Sequence, residues 1–357
     1  MPLRIKKQMK IDSFLSQAGE WIKGNGPDSD VVISSRVRLA RNLHGFIFLT
    51  MANEKQQSEI EEYIRAKLQP ILSKSGTDYF FMKEMNSLDR GLLVERHLIS
   101  KDMVSGSGAR GLFVNSKESQ AIMVNEEDHL RLQVLKSGLQ IEKAWEELDA
   151  LDNQVESVLP YAFSPQFGYL TACPTNAGTG MRVSVMLHLP ALAMIKQINK
   201  VFQALGRIKI MVRGFYGEGT EATGDFYQIS NQVTLGKSEK EIASELANII
   251  PEIVKYERGC RDKMLNDSHK RMEDKVYRSY GVLRYARSVS SEEALELFSV
   301  IRLGITTGLI KDISLKTINE LFILTQPSHL QKMEKKSLNA TERDILRAQF
   351  IKGKLDK

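Results

Sequence analysis

Cysteine is scarce in this sequence, with two residues, Cys173 and Cys260, in a chain of 357. They lie far apart without C-x-x-C spacing, which argues against a disulfide framework or a structural zinc site and suits a reducing compartment. Long apolar runs are missing too. VSVMLHLPALAMI is too short and interrupted to span a bilayer, and the basic start MPLRIKKQMKIDSF leads into no apolar core of signal-peptide length. The cytoplasm is the expected location, with no membrane partner. No G-x-x-x-x-G-K-[ST] loop and no H-R-D loop with a D-F-G triplet is present, so neither the nucleotide-loop ATPases nor the common protein kinases are supported. Gly106, Gly108 and Gly111 satisfy G-x-G-x-x-G, yet the continuation GLFVN reads as a strand where that fingerprint needs a helix, so the segment is read as a turn. The net charge of +6 is modest, and no RNA-binding aromatic motif, zinc knuckle or basic helix-turn-helix accompanies it. Direct nucleic-acid binding is not expected.

With 42% hydrophobic and 26% charged residues, the chain can build a full core and two domains. Ile60, Tyr63, Ile64, Leu68, Ile71 and Leu72 form a helical stripe after Asn53. Strand patterns dominate from Tyr79 to Thr234, apart from a helix near Pro190 to Leu205. LLVERHLIS, with His97, and NEEDHLR, with His129, both read as strand-like stretches with polar-face histidines. A helix carrying Ile242, Leu246, Ile249, Ile250, Ile253 and Val254 follows, and after Tyr256 only helical patterns return. One opens at the capping box Ser290 to Glu293, and another surrounds Ile318, Leu321 and Phe322. The expected division is an α+β domain over 1–256 and an all-helical one over 257–357.

Five arginines sit in short motifs: Arg36 and Arg38 in SSRVR, Arg131 in NEEDHLR, Arg182 in CPTNAGTGMR and Arg213 in RGFYGEG. Alternation in VVISSRVRLA puts Arg36 and Arg38 on one strand face, opposite Ile33, Ser35, Val37 and Leu39. Arg182 shares a face with Ser184, Met186 and His188, and Arg213 shares one with Lys209 and Met211. Alternation alone equally describes a solvated strand face. Arginine's planar fork, however, suits phosphate, and phosphoryl transfer depends on fixed cations around the moving group. Glu127 and Glu218 stand among the arginines, and a carboxylate pair can orient a guanidinium acceptor and take its proton.

These four motifs, in this order and spacing, resemble those of the guanidino (phosphagen) kinases, and most closely the bacterial protein arginine kinases, from Asp30 to the end of the chain. The resemblance implies a catalytic domain built on an antiparallel β-sheet flanked by helices. It implies that ATP, with Mg2+, contacts Ser34, Ser35, Arg36, Val37, Arg38, His97, Arg131, Arg182, Val183, Ser184, Val185, Met186, Arg213, Gly214, Phe215, Tyr216, Gly217 and Glu218. Glu218 matches the catalytic carboxylate and Glu127 its partner, while Cys173 matches the cysteine beside the acceptor guanidinium. Met181 and Val183 flank Arg182 where Leu and Ala are expected.

RDILRA at Arg343 to Ala348 is the remaining motif. Arg343 and Arg347 stand four apart on a helix with Asp344 three before Arg347, a spacing that also describes an ordinary charged helix face. Its match to the R-D-x-x-R-A element of the bacterial branch implies an allosteric phosphoarginine site at Arg343, Asp344, Arg347 and Ala348. The resemblance further implies a homodimer in the stress response, acting on proteins with exposed arginines alongside a zinc-binding activator and a Clp-type ATPase and protease. The small-molecule kinases carry a helical domain before the SSRVR-like strand, whereas 33 residues precede Ser34 here, which favours an arginine carried on a polypeptide. A kinase of free guanidines and a non-catalytic phosphoarginine-binding adaptor remain as alternatives.

Overall fold

The computed structural model describes residues 11–15, 18–214 and 224–356. Its strands are β1 (Val32–Arg41), β2 (Thr77–Phe81), β3 (Gly111–Asn115), β4 (Gln120–Val124), β5 (Leu130–Ser137), β6 (Phe163–Ser164), β7 (Gly168–Tyr169), β8 (Met181–His188), β9 (Ile210–Gly214) and β10 (Phe226–Asn231). Eight of them form one antiparallel sheet in the order β2-β3-β4-β5-β1-β8-β10-β9, while β6 and β7 pair separately. Helices α1 (Glu54–Leu72), α2 (Ser87–Glu95), α3 (Lys101–Ser105), α4 (Ile141–Glu156), α5 (Pro190–Met194) and α6 (Ile198–Arg207) lie between strands. After the last strand come α7 (Glu239–Tyr285), α8 (Ser291–Thr306), α9 (Leu315–Leu324), α10 (Pro327–Glu334) and α11 (Ala340–Leu355).

Alternation makes one sheet face apolar. Val37, Leu39, Leu132, Val134, Val183, Val185 and Ile229 pack there against Ile60, Ile64 and Leu68 of α1, Leu148 and Val155 of α4, and Leu246 and Ile250 of α7. Helix α1 begins where the stripe predicts, since Asn53 accepts the Gln56 N–H and Gln56 returns the bond to the Asn53 N–H. Among the described residues the opposite face is covered at its margins. Leu112, Val114, Ala121 and Met123 meet Leu92, Leu93 and Met103 of α2 and α3. Leu135 and Phe226 meet Phe298 and Phe322 of the C-terminal helices.

Several local expectations are corrected. The region from Tyr79 to Thr234 contains three helices besides α5 and α6, and α4 buries Ile141, Ala144, Leu148, Leu151 and Val155 at helical spacing. LLVERHLIS is not a strand: Asn86 caps α2, which buries Leu92 and Leu93, and His97 follows with φ +58°. Pro190 to Leu205 is two helices, broken where Lys196 takes φ +58°. A register shift between Val32 and Ser34 sends Ile33 to the C-terminal cluster, away from the set with Val37 and Leu39.

Helix α7 runs through Glu257 and departs from helical geometry at Ser268 (φ −147°, ψ 36°). Glu257 is fully buried because it has local work: its carboxylate accepts the backbone N–H groups of Ala191 and Leu192 at 3.1 and 3.0 Å and Nε of Arg261 at 2.8 Å. Further along, buried Arg302 of α8 donates to the carbonyls of Ser29 and Asp30 and to Nδ1 of His188 on β8, at 2.5, 2.9 and 2.8 Å. The helical region is thereby bonded to the strand that carries Arg182.

Arg41 ties β1 to α4. Its Nε and Nη2 donate to Asp152 Oδ2 at 3.1 and 2.7 Å, with both side chains buried, and Nη1 donates to the Thr179 carbonyl at 2.8 Å. Arg41→Ala strands the Asp152 charge and is expected to destabilise the chain by about 3 kcal/mol, read from the urea midpoint. A loss below about 1 kcal/mol would show that water replaces the guanidinium.

Candidate active site

Between the two covered margins the polar sheet face opens as a cleft of about 840 Å³. Register explains how the arginines reach it. Arg38 of β1 faces Arg182 of β8, Arg36 faces Ser184, Ala40 faces Arg131 of β5, and Gln228 of β10 faces Arg213 of β9. Directly paired residues project to the same side. All five arginines therefore line one cleft, together with His97, Ser100, Lys101, Asp102, Glu126, Glu127, Cys173, Thr175, Asn176 and Gln228.

Crowded cations disfavour one another. Burial first, then Arg131 and Arg182, lower the Arg36 pKa to about 10. Arg38 is driven well below its ordinary value by burial, then by Arg36, Arg131 and Arg182, with Glu126 opposing. Both side chains are half-buried and meet water across the cleft, which tempers that penalty. Nε of Arg38 is nonetheless buried without a hydrogen-bond partner among the described residues. Arg182 reaches Met211 Sδ at 3.5 Å and Ser230 Oγ at 3.4 Å, and Arg213 reaches Met211 Sδ at 3.0 Å. These contacts are to uncharged side chains. Arg131 differs, since its Nη1 donates to Glu126 Oε2 at 2.6 Å and lies 3.7 Å from Glu127 Oε2.

The NEEDHLR turn gives each residue a separate task. Asn125, at φ +57°, donates to the carbonyls of Gln57 and Ala109, both at 2.8 Å. Glu126 neutralises Arg131, which with other local bonds holds it below its ordinary pKa despite burial. Glu127 stays 41% exposed in the cleft, and burial, aided by Asp128, Glu126 and Asp102 against Arg131, raises its pKa. Asp128 Oδ1 accepts Asn42 Nδ2 at 2.5 Å and the Ala172 N–H at 2.6 Å, so it fixes the cysteine loop beside the turn. His129 is fully buried. Its Nδ1 accepts the Leu43 N–H at 3.0 Å, which leaves Nε2 to donate to the Ile47 carbonyl at 2.9 Å.

Cys173 lies 3.0 Å from Thr175 Oγ1. Two glycines bring its loop back to β8. Gly178 has φ +101°, and a Cβ there would meet the Thr234 carbonyl oxygen at 2.4 Å; Gly180 has φ +61° with the Ala40 carbonyl oxygen at 2.5 Å. His97 packs edge-on to Trp21 at 5.3 Å between centroids, and burial followed by Arg36 lowers its pKa to about 3, so it sits there neutral. Ser34 and Met186 line a recess off the cleft with Trp21, Leu135 and Gln228.

Other expected residues lie elsewhere. Ser35 donates to the Gly138 carbonyl at 2.8 Å and accepts the Gln140 N–H at 3.0 Å, while Val37, Val183 and Val185 are core residues of the apolar face. They support the cleft from behind. Gly214 ends β9, and Phe215, Tyr216, Gly217 and Glu218 lie outside the described residues. Glu126, Ser100, Lys101, Asp102, Thr175, Asn176 and Gln228 were not anticipated. Glu126 stood in a quoted motif, Ser100 accepts the Met103 N–H as the cap of α3, and the alternation of FYQIS marks Gln228. Lys101, Asp102, Thr175 and Asn176 reach the cleft only through loop and helix placement.

RDILRA lies on α11, apart from this cleft. Arg347 is 1% exposed and donates to Thr325 O, Val289 O, Asp344 Oδ1 and Ser291 Oγ at 2.9, 2.8, 2.5 and 2.7 Å. Ala348 is buried among the helices. Arg343 and Asp344 are half-buried, and Arg343 donates to the Leu338 carbonyl at 2.9 Å. The expected two-arginine clamp thus has one arm built into the helical core.

A family model described as ATP:guanido phosphotransferase, C-terminal catalytic domain, matches residues 59–260. The chain belongs to the ATP:guanido phosphotransferase family. A second model, for the protein-arginine kinase McsB C-terminal domain, matches residues 269–357. A protein-arginine kinase of Halothermothrix orenii is 45% identical over 348 residues, 97% of this chain and 99% of that relative. One from Bacillus mycoides is 43% identical over 350 residues, with the same coverage. Among solved structures, the duplicated taurocyamine kinase of Schistosoma mansoni with bound transition state analog components aligns at TM-score 0.60 and 29% identity, over 69% of this chain and 35% of its own length. Lombricine kinase aligns at TM-score 0.59 and 26% identity, over 71% of each chain. The guanidino-kinase fold thus comprises the sheet and its flanking helices, followed by the helical C-terminal region.

A phosphotransferase cleft of this kind sets stability against binding. Arg38→Met removes a half-buried, poorly paired cation and is expected to raise the melting temperature by about 2 °C. The same variant should lose most of the stabilisation that inorganic pyrophosphate gives the wild-type chain. An unchanged pyrophosphate response would remove Arg38 from the anion site.

Proposed function

We propose that this chain is an ATP-dependent protein-arginine kinase, which moves the γ-phosphoryl group of ATP to an arginine side chain of a protein. The reading is carried by the convergence of Arg36, Arg38, Arg131, Arg182 and Arg213 with Glu127 and Cys173 in one cleft. The two relatives described above, both protein-arginine kinases matched over nearly their whole length, support it. In the transfer an N–P bond forms, the bond from phosphorus to the ADP oxygen breaks, and the attacking nitrogen loses a proton. The arginines hold the phosphates and spread the charge of the moving group. In this reading His97, Ser34, Ser184 and Met186, which line the cleft or its recess, contact the nucleotide with their side chains, and Ser35, Val37, Val183, Val185 and Gly214 act through the backbone.

Glu127 and Glu218 pair with the acceptor guanidinium, orient it and take its proton, with Glu218 as base on the strength of the family motif. Cys173 lies beside the acceptor and adjusts its binding, without forming a covalent bond. Among the described residues the carboxylates of the cleft are Asp102, Glu126 and Glu127, and Glu126 is committed to Arg131. The donor set therefore fits Mg2+ carried on ATP and ordered water, not a dedicated protein cage.

The division into 1–256 and 257–357 is kept as part of this reading, and the two family models, which match 59–260 and 269–357, are compatible with it to within a few residues. Homodimer formation, a zinc-binding activator, marking for Clp-type proteolysis in the stress response and a cytoplasmic site of action rest on the family resemblance. So does phosphoarginine regulation at Arg343, Asp344, Arg347 and Ala348. The likeness to taurocyamine and lombricine kinases keeps a free guanidine as the competing acceptor.

Mass spectrometry under non-acidic conditions, after incubation with Mg-ATP and an unfolded protein, decides between the acceptors when a parallel reaction contains free arginine. Phosphoarginine on the protein is expected, whereas phosphorylation of free arginine alone would overturn the protein-directed reading. Glu218→Ala should abolish transfer while ATP still binds, and near wild-type turnover would remove it from the mechanism. Glu127→Gln should lower kcat by about 10²-fold or more. Because the Glu127 pKa is raised and its ionised form is the active one, wild-type activity should fall on acidification at a pH above the ordinary carboxylate range. An acidic limb within that range would exclude it as the titrating group.

The helical motif separates into two outcomes. Arg347→Ala removes the bonds to Thr325, Val289, Asp344 and Ser291 and is expected to lower stability by about 2 kcal/mol or more, measured by urea unfolding. Arg343→Ala should leave the melting temperature within about 2 °C of wild type and weaken stimulation by free phosphoarginine. Unchanged stimulation would sink the regulatory assignment.

A further inference from the structure

The segment bearing His97 is gripped from behind by the C-terminal helices. Glu95, at the end of α2, accepts the backbone N–H groups of Ser328 at 2.7 Å and His329 at 3.0 Å, at the start of α10. Its Oε2 also lies 2.8 Å from His329 Nδ1. Arg96 follows, 1% exposed. Its Nε and Nη2 donate to the two oxygens of Glu118 at 2.5 Å, and its Nη1 meets His329 Nε2 at 3.1 Å. A guanidinium can only donate, so Nε2 accepts, and the imidazole proton is on Nδ1, where it is donated to Glu95. His329 is a neutral bridge with one donor and one acceptor, both used.

What these bonds fix is a backbone position. His97 comes next in the chain at φ +58°, and its carbonyl accepts Gln133 Nε2 at 3.0 Å from β5, where Gln133 is the partner of Arg38. With Glu95 held by α10, Arg96 by Glu118 and His329, and the His97 carbonyl by β5, the imidazole has little freedom in its placement beside Arg36. Helix α10 is itself tied onward. The carbonyl of Thr325, two residues before its first turn, accepts Arg347 Nε of α11 at 2.9 Å, and Gln331 Oε1 accepts the Leu338 N–H at 3.0 Å. An unbroken series of hydrogen bonds and covalent links therefore joins α11 to the cleft.

We propose that Glu95, Arg96 and His329 form a positioning clamp through which α10 sets His97 in the nucleotide part of the cleft, so that the C-terminal helical region supports ATP binding without touching ATP. The inference rests on the reading of the cleft as an ATP site. None of the three is a catalytic residue; each acts through His97. Loss of the clamp should weaken nucleotide affinity and spare the chemical step, because the carboxylates and Cys173 stand on other elements.

The test uses the full chain, with Mg-ADP binding by isothermal titration calorimetry and steady-state kinetics with ATP. His329→Leu removes both bridging contacts and is expected to raise the Kd for Mg-ADP and the KM for ATP about tenfold, with kcat changed less than about twofold. His329→Gln can still donate with its amide and accept with its carbonyl, and it should restore affinity to within about twofold of wild type. If His329→Leu does not fold, Glu95→Gln carries the same expectation, since an amide N–H then faces the α10 donors. Wild-type affinity in a folded His329→Leu or Glu95→Gln chain would overturn the clamp, as would a Gln variant no better than Leu. Absence of Mg-ADP binding by the wild-type chain would instead remove the ATP reading, and the clamp with it.

Discussion

Five guanidinium groups on one face of one sheet repel each other, and the rest of the structure answers that constraint. Arg36 and Arg38 lose part of their affinity for the proton through burial and through their neighbours. A set of cations this dense persists only where the backbone beneath is held by other bonds. The apolar face supplies them: Val37, Val183, Val185 and Ile229 bury the reverse side of the same strands. Arg41 and Asp152 fasten β1 to α4, and Arg302 fastens β8, through His188, to α8. The cations stay together because the strands cannot move apart.

The acidic turn solves a different problem, which is to put one negative charge among the arginines without cancelling them. Glu126 is spent on Arg131, and Asp128 on the loop of Cys173. Glu127 remains half open to the cleft. Three successive carboxylates thus take three roles, because Glu126 is bonded to Arg131, Asp128 to Asn42 and the Ala172 N–H, and Glu127 is left facing the cleft.

Much of this was legible in the sequence. The shared face of Arg36 and Arg38, of Arg182 with Ser184 and Met186, and of Arg213 with Met211 follows from alternation, and the antiparallel register brings those faces together. The helical stripe of α1 and the all-helical stretch after the last strand were equally plain. LLVERHLIS was misread because five apolar residues around two charges satisfy either period, and the deciding signal was the Asn86 cap outside the window. Helix α4 was overlooked although Ile141, Ala144, Leu148, Leu151 and Val155 keep helical spacing. The roles of Arg302, Arg347 and His329 were not readable, since a buried cation has no local pattern and its partners come from distant segments. Spacing placed Arg343 and Arg347 on one helix, but it could not show that one of them is part of the core.

The charge arrangement also bears on the order in which ligands enter. In the proposed reaction the acceptor is itself a guanidinium, and on approach it meets five arginines and Lys101, which Asp102, Glu126 and Glu127 balance only in part among the described residues. ATP reverses the balance. In that reaction its phosphates would pair with the arginines, and Glu127 and Glu218 would be left to the acceptor. The same positive charge that opposes the acceptor attracts the nucleotide, so in the proposed reaction bound phosphates would ease the entry of the acceptor. The neutral state of His97 fits this account, because a protonated imidazole beside Arg36 would add a further cation where the phosphates have yet to arrive.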